Sequence, residues 1–186
     1  MSSLQKFHRR TQSVGPVGPF TTIGSGNDTV GFWLGTVSSN KLIIAPKSSE
    51  TSLKYGSYGT VRGNTSTTNG LANTNTLYAF GNSITTGHPA AVYCKNLTTG
   101  GYNTWYLPAK DELMTIISNK AATPFATTSQ FQSSSYTIPT LTSTYYNTST
   151  ESTGNYHWVI AAENGTATAS SIGKNWTQLV RAVRIV

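Results

Sequence analysis

The chain has 186 residues, about one domain's worth, with 37% hydrophobic residues and four Trp, ten Tyr and six Phe, enough to bury a real core. Charged residues make up only 10%, against about 25% in an average soluble domain, while 31 Thr, 22 Ser and 14 Asn dominate the polar side. No run approaches the ~18 apolar residues that span a bilayer, Met1 to Arg10 is charged without the apolar stretch of a secretory signal, and a single cysteine, Cys94, excludes an internal disulfide and any cysteine-based zinc site.

Residues 1 to 20 are expected to form an extended basic arm. Lys6, His8, Arg9 and Arg10 make the one dense basic cluster, and Leu4 and Phe7 are isolated apolar anchors. Gly15-Pro16-Val17-Gly18-Pro19 follows, and proline fixes φ and withholds a donor, so the segment is extended rather than helical. An arm of this kind suits docking on an acidic neighbouring subunit, with Leu4, Lys6, Phe7, Arg9 and Arg10 as its assembly residues. The other basic residues of the +7 chain are scattered singly, so no stripe for nucleic acid forms.

The body is expected to run from 21 to 186. Gly31 to Val37 and Lys41 to Ala45 are strand-like runs around Ser38-Ser39-Asn40, a turn composition, and predict a β-hairpin. Ser48 to Thr86 is polar and punctuated by Gly56, Gly59, Gly63 and Gly70, which predicts loop with short strands at best. His88 to Leu97 predicts a short helix with proline near its start, and Trp105-Tyr106-Leu107 an extended piece. A second helix follows from Pro108 to about Asn119. Asp111 and Glu112 lie in its first turn, and Leu113, Ile116 and Ile117 form its inner stripe.

Ala121 to Thr144 is expected to be loop. Tyr145 to Ser149 and Tyr156 to Ala161 predict strands, with Asn164-Gly165 as a hairpin turn. Gln178 to Val186 alternates on two apolar faces and predicts one central strand. The fold class is α+β and loop-rich, with two short helices and small antiparallel sheets.

At Trp105-Tyr106-Leu107-Pro108-Ala109-Lys110-Asp111-Glu112-Leu113 the chain resembles the W-x-L-P-t-x-x-E-L signature of the Lcl C-terminal domain family. Tyr145 to Glu151, Tyr156 to Gly165 and the closing Val180-Arg181-Ala182-Val183-Arg184 resemble that family's later segments in the right order, so the resemblance covers about 88 to 186. It implies a C-type-lectin-like fold, in which N- and C-terminal strands pair and helices flank a loop-rich half. It also implies display of loops rather than a defined chemistry. Members occur in bacterial collagen-like adhesins and in virion proteins of tailed phages.

The resemblance therefore implies a non-enzymatic phage virion protein, folded in the host bacterial cytoplasm. It would be a capsid or tail decoration or adhesin module, oligomeric and anchored by its arm on capsid, tail or fibre proteins. Its body would contact the host surface, with a surface glycan among the ligands considered, and a bacterial glycan-binding adhesin is the alternative. No membrane or nucleic-acid partner, cofactor or metal is expected. The calcium tripeptides of sugar-binding C-type lectins are absent, and six acids are poor material for a calcium cage.

His8, His88 and His157 have no carboxylate or cysteine at metal-ligand spacing, and adjacent Asp111 and Glu112 point apart on a helix. Arg181 and Arg184 are expected on opposite strand faces, with their guanidinium donors meeting core carbonyls or Glu112. The candidate ligand or receptor surface is aromatic: Tyr55, Tyr58, Tyr145, Tyr146, Tyr156 and Trp176 stand among Ser, Thr, Asn and Gly, the mixture that paratopes use.

Overall fold

The computed structural model describes residues 32–45, 47–85, 87–121, 145–163 and 166–185. The expected arm, with Leu4, Lys6, Phe7, Arg9 and Arg10, and the expected loop 122–144 lie outside the described residues. In chain order the elements are β1 (Phe32–Val37), β2 (Asn40–Ile44), β3 (Thr51–Lys54), α1 (Gly70–Ala79), α2 (Pro89–Asn96), α3 (Lys110–Ala121), β4 (Tyr145–Glu151), β5 (Tyr156–Glu163), β6 (Thr166–Gly173), β7 (Thr177–Val180) and β8 (Val183–Ile185), with single 3-10 turns at Lys47–Ser49 and Thr99–Gly101.

The predicted hairpin forms. β1 and β2 pair antiparallel through a two-residue turn in which Ser38 and Ser39 both have positive φ, 48° and 70°. That is the handedness that matches strand twist in tight hairpins. On its other side β2 pairs with β8, so a strand from the start of the described chain meets one from its end. This three-stranded sheet has the order β1-β2-β8.

The second sheet has the order β3-β7-β4-β5-β6. Its pairs are antiparallel except β4 with β7, which meet in parallel at Tyr146 and Leu179. The predicted Asn164-Gly165 hairpin is the long β5–β6 ladder, closed by the Glu163–Thr166 pair.

β2 is buried on both faces, and its alternation divides the core in two. Leu42 and Ile44 join Tyr106, Leu113, Ile116, Ile117, Tyr146, Ile160 and Val183 under α3. Ile43 and Ala45 join Tyr55, Leu77, Ala90, Ala91, Cys94, Trp105 and Leu107 under α1 and α2. Each fully buried Leu or Ile here contributes about 2 kcal/mol of transfer free energy.

Three expectations are corrected. First, the described residues hold three α-helices rather than two, because α1 lies inside the stretch expected to be loop. Its inward positions Gly70, Asn73, Thr74 and Leu77 have helical spacing, but only Leu77 is a large apolar residue. The polar ones are satisfied inside: Asn73 donates to Ser66 O (2.7 Å), and Thr74 Oγ1 donates to Leu107 O (3.1 Å) while accepting from Leu107 N (3.0 Å). Second, not all strand pairing is antiparallel. Third, the C-terminal segment is two strands. β7 lies inside the larger sheet, and β8 ends the order of the smaller one, with Tyr106 bridging Val183. The chain crosses between sheets at Arg181-Ala182, where Arg181 Nε donates to Ala45 O (2.8 Å) and its guanidinium lies 3.4 Å from Glu50. The expectation that Arg181 meets a core carbonyl holds; its carboxylate is Glu50, not Glu112.

Candidate recognition surface

Two buried charged residues, Glu151 and Lys174, hold the segment 55–64 in place. The Glu151 carboxylate, at the end of β4, accepts from Arg62 N (3.0 and 2.9 Å) and Gly63 N (2.8 Å) and pairs with Lys174, itself fully buried. Lys174 also donates to Thr60 O at 2.6 Å, and its backbone accepts from Gly56 N at 3.0 Å. The bends between these anchors use left-handed φ at Gly59 (82°) and Gly63 (76°), where a side chain would be strained.

Below lies Tyr55. Its ring stacks on His157 at 4.4 Å and meets His88 edge-on at 5.7 Å. Asn147 donates its amide hydrogens to Leu53 O and Gln178 O, so its oxygen faces His157 Nε2 at 2.6 Å and Nε2 carries the proton. Burial holds His157 down at about 3. His88 accepts from Arg62 Nε at 3.2 Å through Nε2, which leaves Nδ1–H to donate to Tyr55 O at 3.2 Å. Burial also lowers His88, against the raising effect of that hydrogen bond. Both imidazoles are neutral structural parts.

The outer side of this network carries three exposed rings. Tyr156 opens β5 and pairs in register with Gly173 at the end of β6. Trp176 follows in the tight turn to β7, where Trp176 N donates to Gly173 O at 3.0 Å. Tyr58 comes from the anchored loop, and its ring meets Tyr156 at 6.2 Å and 65°. Gly173 is the floor of the group. A Cβ there would lie 3.1 Å from Asn175 Oδ1 and 3.3 Å from both Trp176 Cδ1 and Tyr58 Cε2. The hydroxyl of Tyr156 beside it pushes the Tyr58 hydroxyl above its ordinary value.

Tyr58 and Asn175 also line an adjoining cleft of about 410 Å³, with Lys54, Ser57, Thr85 and Pro89. Flat ring faces next to hydroxyl, amide and ammonium groups suit a ligand with apolar patches and hydroxyls.

The six aromatic candidates therefore separate. Tyr58, Tyr156 and Trp176 converge, at 48%, 42% and 61% exposure. Tyr55 and Tyr146 are fully buried and are corrected from the surface set. Asn64 Nδ2 donates to the Tyr55 hydroxyl, and the Tyr146 hydroxyl donates to Glu50 at 2.8 Å, so both phenols have polar partners inside. Tyr145 is half-buried, pairing with Ala161 at the far end of β4 from Tyr156. Sequence reasoning missed the cleft residues other than Tyr58, and the Glu151–Lys174 pair. The glycines at 56, 59 and 63 around Tyr58 were the available signal that this loop has a set path.

The four carboxylates with described side chains are each engaged. Glu50 meets Tyr146 and Arg181, Asp111 meets Lys110 at 3.4 Å, and Glu151 meets Lys174. Glu112 accepts from Ala109 N (2.8 Å), Gly70 N (3.2 Å) and the Tyr106 hydroxyl (3.2 Å). Among the described residues no three His, Cys, Asp or Glu side chains gather as a metal site, and no helix is long and apolar enough to cross a membrane. Cys94 is buried, which pushes its thiol well up.

The chain is thus a mixed α+β module whose buried polar framework presents an aromatic surface. Residues 47–184 match the Lcl C-terminal domain family, and the chain belongs to it. The match begins well before His88, the boundary expected from the motifs, and takes in the anchored loop and α1. No curated protein and no solved structure matches the chain.

Proposed function

We propose that the chain is a non-enzymatic surface-recognition module of a tailed-phage virion, a capsid or tail decoration or adhesin protein. Its body, of C-type-lectin-like type, contacts the host surface through Tyr58, Tyr156 and Trp176. The observation that carries this reading is the convergence of those rings around Gly173, beside a cleft with polar lining. The pairing of β2 with β8 supports the lectin-like reading, since that fold pairs N- and C-terminal strands. The internal engagement of Glu50, Glu112 and Glu151 supports a binding role over catalysis, because a general acid or base must reach a substrate.

In this reading residues 1–20 dock on a capsid, tail or fibre protein through Leu4, Lys6, Phe7, Arg9 and Arg10, and the module works as an oligomer. Deleting Met1 to Pro19 is expected to abolish incorporation into particles; unchanged occupancy removes the docking role. Trp176→Ala and Tyr58→Ala are expected to reduce adsorption of particles to host cells without moving the urea midpoint, as exposed side chains do. Adsorption equal to wild type refutes the assignment of this surface.

A bacterial glycan-binding adhesin is the second reading, and Lys54 in the cleft favours it. It calls for binding of the isolated chain to acidic glycans that weakens with salt, and a glycan array without binding at low salt excludes it.

A further inference from the structure

Three cations with described side chains are almost wholly buried, Lys174, Arg181 and Arg184. A buried charge is costly unless it is paired and hydrogen-bonded. Lys174 has Glu151, and Arg181 has Glu50 and the Ala45 carbonyl. Arg184, 5% exposed, has neither: its Nε is buried without a hydrogen-bond partner.

What holds Arg184 is aromatic. Its guanidinium carbon lies 3.7 Å from the centre of the Tyr102 ring and 5.5 Å from that of Trp105. Trp105 is fully buried, whereas Tyr102 is 38% exposed and sits in a run of exposed residues, 100–104. Stacking occupies the faces of a guanidinium and leaves its edge, the fork of N–H donors that matches a carboxylate. Arg184 is 5% exposed with its Nε buried, so a partner reaches that edge only past Tyr102, the exposed member of the pair. The four described carboxylates are engaged elsewhere, so none of them serves it.

We propose that Arg184, clamped by Tyr102 and Trp105, is a docking site for a carboxylate carried by an acidic protein segment. Charge complementarity argues for that occupant, since a +7 chain with six acids attracts acidic surfaces. Recession argues the same way. The guanidinium lies under the Tyr102 ring, so its partner must present a carboxylate on a slender stem, as a glutamate side chain or a chain terminus does. This site shares no residue with the recognition surface and stands whether or not that surface is a receptor site.

The test follows the Arg184 Nε–Hε NMR signal of the full chain during titration with a blocked peptide of alternating glutamate and glycine, its glutamine counterpart, acetate and glucuronate. The glutamate peptide is expected to shift the signal saturably, acetate to compete with it, and the glutamine peptide to have no effect. Arg184→Lys, which keeps the charge and loses the fork, is expected to weaken peptide binding about tenfold. Tyr102→Ala, at an exposed position, is expected to weaken it while the protein stays folded. An unmoved signal at millimolar peptide overturns the proposal, and so does an undiminished affinity in Tyr102→Ala. Tighter binding of glucuronate than of peptide also overturns it, by assigning the site to an acidic sugar.

Discussion

The Glu112 carboxylate accepts a hydrogen bond from Gly70 N at 3.2 Å, joining the start of α1 to the start of α3, 42 residues later in the chain. The same oxygen accepts from Ala109 N at 2.8 Å, as a third-position glutamate does in a capping box. One side chain thus satisfies backbone donors of two helices. Burial raises the Glu112 carboxyl above its ordinary value, and these hydrogen bonds oppose the rise. Glu112→Ala is expected to cost about 2–4 kcal/mol in urea unfolding, since it leaves buried donors unmet. Gly70→Ala is expected to be comparably damaging, because a Cβ there collides with Glu112 Oε2 and comes within 2.5 Å of Ala109 N and 2.8 Å of Leu107 O. An unchanged midpoint in either variant refutes the joint.

This joint explains why the signature around Trp105 to Leu113 was legible and α1 was not. α3 announces itself through Leu113, Ile116 and Ile117 at helical spacing, and α2 through Pro89 at its first position. α1 buries Asn73 and Thr74 instead, and polar residues produce a helix-facing stripe only when their partners are supplied from elsewhere, here Ser66 and Leu107. The aromatic surface shows the same limit. Tyr55 and Tyr58 are three residues apart in similar surroundings, yet Tyr55 is fully buried because Asn64 and His157, distant in sequence, meet its hydroxyl and ring. The split of the closing segment was hidden because Arg181, an obligate cation, turns inward to Glu50 and Ala45 O.

The turn at Ser38-Ser39 can be improved. Both serines adopt positive φ, where a side chain costs about 1 kcal/mol relative to glycine or asparagine. Both are exposed, so the change meets no packing. Replacing the pair by Asn-Gly is expected to raise stability by about 1 kcal/mol, read as a higher urea midpoint at unchanged slope. A lower midpoint would contradict the turn geometry.

Acid is expected to destabilise the protein through its two buried histidines. Both are held below the ordinary value, chiefly by burial, so between that value and the folded one the unfolded chain binds protons that the folded chain does not. Their stability is complete above about pH 6.5 and is lost as pH falls, over a window that for His157 extends to about 3. Each contributes a slope of up to about 1.4 kcal/mol per pH unit. Arg62, Lys174 and Glu151 face His88; the two cations deepen the effect and the carboxylate opposes it. Glu112 acts in the opposite sense, since its raised value makes ionisation costly and acid relieves that cost. The urea midpoint should therefore fall from pH 6.5 toward 4.5, and less steeply in His88→Gln. A midpoint flat over this range counts against neutral buried histidines.

The Glu151–Lys174 pair links stability to the recognition surface. Its partners are both buried, so removing one strands the other without water; Lys174→Met is expected to cost about 3–5 kcal/mol. The loss reaches further than the pair. Lys174 holds Thr60 O, and Glu151 holds Arg62 N and Gly63 N, so these contacts fix the path of the loop that carries Tyr58. With the ammonium gone, the buried Glu151 charge is left unpaired and draws in water, which weakens its grip on the two amides. Hydrogen exchange at Arg62 and Gly63 should then accelerate more than exchange in the β5–β6 ladder, whose hydrogen bonds do not involve the pair. Equal acceleration everywhere would mean that Lys174 supports only global stability, and unchanged exchange at both amides would mean that Glu151 does not anchor the loop.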